Sequence, residues 1–447
     1  MLRTGAILVS VVILGLLPFA LSLGAGQVPA LRGIERVSVA DDGSEGNAES
    51  GIWQVSLISA DGRYVAFHSD ASDLVPNDWN EKRDVFVHDR QTGQTKRVSV
   101  SSDALPGNGN SLYPSLSADG RYVAFVSRAG NLVDNDTNDT VDIFVHDCQT
   151  GKTSRVSVAS DGAQGNGESW LPSISADGCY VCFASHATNL VPDDTNGAPD
   201  VFVHDRQTGQ TKRVSVSSED AQGNRRSSFP RISADGRCVA FESAADNLVP
   251  EDGNRVDDVF AHDRDTGRTT RANVASDGTQ SKEEAHLASL STDGRYVAFV
   301  SGASDLVSDD TNNAYDVFIH DRQTGQTKRV SVGNNGAQSN QGVWEYSISG
   351  DGRYVAFASS ADDLVPGDSN EYSDIFVHDC QTGQTARVNL GQGGADADWE
   401  SAMPSLSPDG RYVVFTSKAR NLVRRDTNEA ADVFLALNPL FTPGSAR

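Results

Sequence analysis

One seven-residue motif, DGRYVAF, decides most of what this chain can fold into. It starts at Asp61, Asp119, Asp293 and Asp351, with variants DGCYVCF at Asp177, DGRCVAF at Asp235 and DGRYVVF at Asp409. Every step between successive copies is 58 residues. Seven copies at one unbroken interval mean a repeat architecture, in which each unit buries its apolar faces against its neighbours.

Each unit reads as four short strands. In the second copy strand a is Pro114-Ser115-Leu116-Ser117, and Ala118-Asp119-Gly120 supplies a tight turn. Strand b is Arg121–Phe125, strand c is Asp142–His146, and a second turn at Cys148-Gln149-Thr150-Gly151 leads to strand d, Arg155–Val158. Neither alternating face of strands b and c is polar, so both faces are buried, as blades packed between blades require. The seventh unit stops matching after Asp432-Val433-Phe434, and its missing strand stands at the other end of the chain as Arg36-Val37-Ser38-Val39. The expected fold is therefore an all-β, seven-bladed propeller of four-stranded blades, its last blade closed by the N-terminal strand.

The S-x-S-x-D-G-R-Y-V-A-F and D-V-F-V-H-D segments resemble the WD40-like (PD40) repeat of TolB-type propellers, over residues 33 to 437. The resemblance implies a propeller that serves as a periplasmic or extracellular binding platform, or as an accessory domain of peptidases and lyases. The unit here departs from that pattern in its longer, more acidic b–c connection.

That connection carries D-x-N-x-x-x-D in every unit. The sets are Asp78, Asn80, Asp84; Asp136, Asn138, Asp142; Asp194, Asn196, Asp200; and Asp252, Asn254, Asp258. They continue as Asp310, Asn312, Asp316; Asp368, Asn370, Asp374; and Asp426, Asn428, Asp432. Alternate oxygen-bearing side chains in a short turn can gather around a hard cation, so one expectation is a Ca²⁺ ion per blade. Asp and Asn also cap turns through their own backbone, and the sets lack the glycine and bidentate glutamate of a full calcium loop.

Six histidines, at 88, 146, 204, 262, 320 and 378, recur one per unit. Copies so far apart share no catalytic centre, and packed structural histidines are expected. No G-x-S-x-G, H-E-x-x-H or Walker loop is present. Arg225, Arg226, Glu283, Glu284 and Glu345 fall off the repeat pattern without forming a recognisable constellation, and the unrepeated His68, His186 and His286 have no companion Cys or Glu at metal-ligand spacing. The expectation is accordingly a protein that is not an enzyme.

Residues 1–30 differ from the rest. Arg3 precedes the apolar run AILVSVVILGLLPFALSL, residues 6 to 23, which is followed by small residues. This reads as a signal peptide, with an uncleaved membrane anchor as the alternative, and places the folded part in the periplasm or outside the cell. The expected organisation is a propeller over 31–437 and a tail over 438–447. A formal net charge of -24 argues against a nucleic-acid partner.

The a–b and c–d turns are nearly invariant, whereas the d–a connections vary and carry Trp53, Tyr113, Trp170, Phe229, His286, Trp344 and Trp399. A protein or polysaccharide partner is expected on the face formed by the b–c and d–a loops, with Trp53, Tyr113, Trp170, Phe229, Trp344 and Trp399 as contacts. The leading expectation is a secreted or cell-envelope binding scaffold, stabilised by calcium. A polysaccharide lyase or hydrolase on the same fold and a structural surface protein are the alternatives.

Overall fold

The computed structural model describes residues 33–52 and 57–443. The apolar N-terminal run and Trp53 lie outside the described residues. Seven antiparallel four-stranded sheets form the ring, and in each the strand order follows the sequence, except in the last. There the order is Glu35–Arg36, Asp432–Leu437, Tyr412–Ser417, Ser401–Leu406, with Glu35 opposite Leu435 and Arg36 opposite Phe434. The chain is a seven-bladed β-propeller closed by its N-terminal strand.

Strands b and c carry the core. Tyr122–Ser127 and Asp142–Asp147 are buried almost throughout, and each blade stacks one phenylalanine from strand b on one from strand c, with ring centroids 5.7 to 6.0 Å apart. The Asp-Gly turn also joins blades. Gly120 has φ +74°, and a Cβ there would lie 2.2 Å from the Tyr64 ring of the preceding blade, so glycine is required twice over. The c–d turn on the same face opens with an arginine that reaches back: Arg206 donates to the Gly178 carbonyl and lies over the Tyr122 ring. Where Cys148 and Cys380 replace that arginine the latch is absent, and all five cysteines are free.

Two strands differ from the sequence expectation. Strand d runs over Lys152–Arg155 and its counterparts, ending where it was expected to begin. Ser157 explains the shift: its hydroxyl accepts the Ile143 N–H and donates to Asp142, so a side chain takes over the ladder and the backbone leaves the sheet. Strand a carries a bulge in five of the seven blades, two residues after its start. Tyr113, Leu171, Phe229, Leu287 and Met403 take positive φ there, most of them beside a proline that has no N–H for the ladder. In the sixth blade Tyr346 stands in the proline's place and Glu345–Ile348 pairs without a bulge.

The tail beyond the last strand folds back onto the ring. Leu440 and Phe441 pack against the core between the sixth and seventh blades. No helix among the described residues is long and apolar enough to cross a membrane.

Candidate functional site

The two faces of the ring are built differently. On the a–b/c–d face each repeated histidine lies 2.9 Å, through Nδ1, from a threonine of strand d. That threonine in turn donates to a carbonyl of the preceding unit. Burial pushes these imidazoles down, His204 and His378 to about 4. They are neutral structural pegs.

On the opposite face stand the D-x-N-x-x-x-D sets. The structure brings the two aspartates of every set together around an arginine from strand d: Arg97, Arg155, Arg213, Arg271, Arg329 and Arg387, and Arg36 for the last blade. The closest nitrogen–oxygen separations run from 2.7 to 3.7 Å. Each asparagine turns its amide NH₂ toward the second aspartate and toward a carbonyl of the adjoining loop, as Asn80 does to Asp84 (2.8 Å) and Gly107 (3.0 Å). Its oxygen accepts the N–H two residues on. The cation that each set faces is thus a guanidinium of its own chain, and the asparagine presents a donor. Among the described residues, Glu45, Asp426 and Asp432 are grouped closely enough to hold a metal, and Arg36 lies 2.7 Å from Glu45 and 2.9 Å from Asp432. Burial pushes Asp368 and Asp426 up to about 6.

The aromatic residues of the d–a connections do not form one ring of contacts. Tyr113 and Trp170 are half-buried against the core between the second and third blades, and Trp170 packs on His186 with centroids 5.0 Å apart. Phe229 is half-buried at its bulge. Trp344 and Trp399 stay exposed, each against a tyrosine of the preceding blade's b–c loop, Tyr315 at 3.8 Å and Tyr372 at 5.3 Å.

Beside Trp344 the repeat breaks most deeply. Glu242 stands on strand b of the fourth blade, where the other copies have His68, Val126, Ala184, Val300, Ala358 and Thr416. Its carboxylate is buried, accepts the Leu287 N–H, and lies 3.3 Å from Nδ1 of His286. Nε2 of His286 lies 3.5 Å from Glu284, and the Tyr315 hydroxyl donates to Glu284 at 2.8 Å. The result is a chain: buried carboxylate, imidazole, half-exposed carboxylate, phenol. The hydrogen bond to Glu242 raises the pKa of His286 above its ordinary value, and that from Tyr315 lowers Glu284. An imidazolium beside an ionised, accessible carboxylate can give and take a proton at one spot.

Nearer the ring axis Arg231 replaces the serine of five other copies (Ser115, Ser173, Ser289, Ser347, Ser405) and lies within electrostatic reach of Glu242. Glu345 accepts the Met403 N–H at 2.6 Å, the same service that Glu242 gives Leu287 two blades earlier. A separate apolar groove of about 480 Å³, lined by Ile34, Leu390, Leu422 and Leu437, runs along the last blade and holds none of these groups.

No family model matches this chain, and no curated protein matches it. Solved structures do. An oligogalacturonate lyase in complex with manganese aligns at 14% identity over 91% of this chain and 93% of that one, with a TM-score of 0.56. The oligogalacturonate lyase of Vibrio parahaemolyticus aligns at 13% identity over 91% and 94%, TM-score 0.55. The β-propeller domain of the Trilobed protease from Pyrococcus furiosus aligns at 12% identity over 88% and 94%, TM-score 0.52. At such identities the likeness establishes the fold. Solved TolB proteins also align, at TM-scores of 0.40. The fold is consistent with the TolB-type propeller that the repeat motif implied.

The expectation of a secreted or cell-envelope binding scaffold is corrected here. The solved structures that match nine-tenths of this chain include lyases, so the fold supplies no reason to set catalysis aside. The proximity of the side chains at His286 is also hidden in the sequence. Glu242 and His286 are 44 residues apart, and Tyr315 and Glu284 are 31 apart, so a search for local motifs passes over them. Glu242 is marked in the sequence by its departure from its repeat position, whereas Glu284 shares its position with Glu168 and Glu400.

Proposed function

We propose that this propeller is an acid–base enzyme whose reacting centre is the Glu242–His286–Glu284 chain on the b–c/d–a face. One observation supports the reading above others: an imidazole held between two carboxylates, at positions where other units place no such set. Glu284 is the group that reaches solvent and would take a proton from a water molecule attacking the substrate. His286, its pKa raised by its contact with Glu242, would return one to the leaving atom. Glu242 is a positioning residue, fixed by the Leu287 N–H. The 3.5 Å separation between His286 and Glu284 is loose enough to rearrange when substrate inserts.

The apolar run over residues 6–23 supports export, so the centre would meet its substrate outside the cytoplasm. Cell fractionation checks this, and a purely cytoplasmic chain overturns it.

Turnover on a panel of soluble polysaccharides, followed by reducing ends and by absorbance of unsaturated products, tests the enzyme reading. Glu284→Gln and His286→Gln should each lower the rate by roughly 10² to 10⁴ while the melting curve stays in place. Full activity in both variants would sink the assignment.

A further inference from the structure

We infer that the substrate of this centre is a chain of uncharged sugar rings laid across two aromatic steps, Trp344 on Tyr315 and Trp399 on Tyr372. The inference rests on the acid–base reading above, which it supplies with a substrate class.

Large aromatic side chains left in water need a reason. Trp344 is 51% exposed and Trp399 is 47% exposed, on successive blades of the same face. Trp399 is aromatic in its own unit alone, and Trp344 shares its position with one other tryptophan, the half-buried Trp170. The counterpart of Trp344 in the last unit is Ala402, and that of Trp399 in the sixth is Gln341. Each indole is backed by a tyrosine from the neighbouring loop, at 3.8 and 5.3 Å, which fixes its plane and spares the entropy of ordering it on binding. Tyr315 belongs to both structures. Its ring supports Trp344, and its hydroxyl donates to Glu284. The first aromatic step therefore adjoins the exposed end of the acid–base chain, and the second lies one blade further on.

The chemistry around the steps selects the occupant. Glu283, Glu371, Asp398 and Glu400 are exposed beside the tryptophans or their tyrosines. The nearby guanidiniums of Arg225 and Arg226 are already paired, with Asp246 and Asp257. Flat aromatic faces rimmed by carboxylates match a sugar ring, whose C–H face is apolar and whose rim is hydroxyl donors. The same carboxylates, in a chain of net charge -24, repel polyanions, which sets aside nucleic acids, anionic lipid surfaces and uronate chains. Two indoles are too small an apolar patch for a stable protein interface.

The test uses the full chain and its Glu284→Gln variant, titrated with cellohexaose, xylohexaose, mannohexaose, N-acetylated chitohexaose and hexagalacturonate, with tryptophan fluorescence and calorimetry as readouts. At least one uncharged hexasaccharide should bind Glu284→Gln, and hexagalacturonate should not. Trp344→Ala and Trp399→Ala, placed in that background, should each weaken binding about tenfold. Trp399→Phe should restore most of the loss and controls for folding. Absence of binding by every uncharged chain, tighter binding of hexagalacturonate, affinity untouched by both alanine variants, or capture of a folded protein but no sugar through these tryptophans would each overturn the inference. An uncharged chain that binds through the tryptophans but is never cleaved leaves the substrate class standing and removes the acid–base reading. Cleavage that ignores the tryptophans does the reverse.

Discussion

The two faces of this ring use the same kinds of side chain to opposite ends. On the a–b/c–d face histidine is repeated, buried and bonded to a threonine, and six copies share one environment. On the other face a single histidine, His286, stands between two carboxylates and touches water. Aspartates behave likewise. In the repeated sets each pair is closed around an arginine, whereas Glu284 ends at solvent with only a phenol and an imidazole as partners. Repetition marks what holds the blades; a break in repetition marks the side chains that the proposed chemistry would use.

The sharpest way to break this comparison is to remove one arginine from a repeated set. Arg213→Ala leaves Asp194 and the buried Asp200 facing each other without a cation, and we expect a loss of about 3–5 kcal/mol in chemical denaturation. His286→Gln should cost less than about 1 kcal/mol in the same experiment, because its site is half open. If the two variants lose similar stability, the division between holding and reacting faces fails.

A smaller effect distinguishes the histidines by pH. His204 is buried neutral with its pKa lowered to about 4, below the ordinary 6.5. Its contribution to stability is whole above pH 6.5 and is lost as pH falls from there toward 4, at about 1.4 kcal/mol per pH unit. His204→Asn removes that slope, so the stability gap between the wild-type protein and the variant should narrow between pH 7 and pH 4.5. Parallel profiles would show that His204 is not held neutral. His286 carries the opposite sign: its raised pKa means that its stabilisation is present below pH 6.5 and is lost as pH rises through the folded value.

The smallest expected effect concerns calcium. An ion in any D-x-N-x-x-x-D set has to displace an arginine already within 2.7 to 3.7 Å of the aspartates. We propose that the guanidinium wins, and that melting curves in calcium and in EDTA differ by less than about 2 °C. A rise of many degrees with calcium would show the ion to be the better partner.

Much of the holding architecture is legible from the chain alone. The interval of 58 residues gives the seven blades, and the RVSV segment at Arg36 with the truncated seventh unit gives the closure. The structural histidines are legible as well, because six copies cannot converge on one substrate. The register of strand d was less so, since Ser157 and its counterparts replace a backbone ladder bond with a side-chain one, a choice that composition does not reveal. The cluster at His286 was not legible, because Glu242, Glu284 and Tyr315 lie on different strands and loops.

Sequence by itself determined the ring, because a repeat of fixed length with two buried strands per unit has one economical way to hide its edges. It determined the acidic loops too, though not what neutralises them. Tertiary structure alone decided which cation sits among those aspartates, since the arginine arrives from strand d across a turn. It alone decided that an imidazole, two carboxylates and a stacked pair of aromatic rings meet at one place. Contacts between neighbouring blades join residues tens of positions apart, and their geometry follows from how the sheets pack rather than from any spacing along the chain.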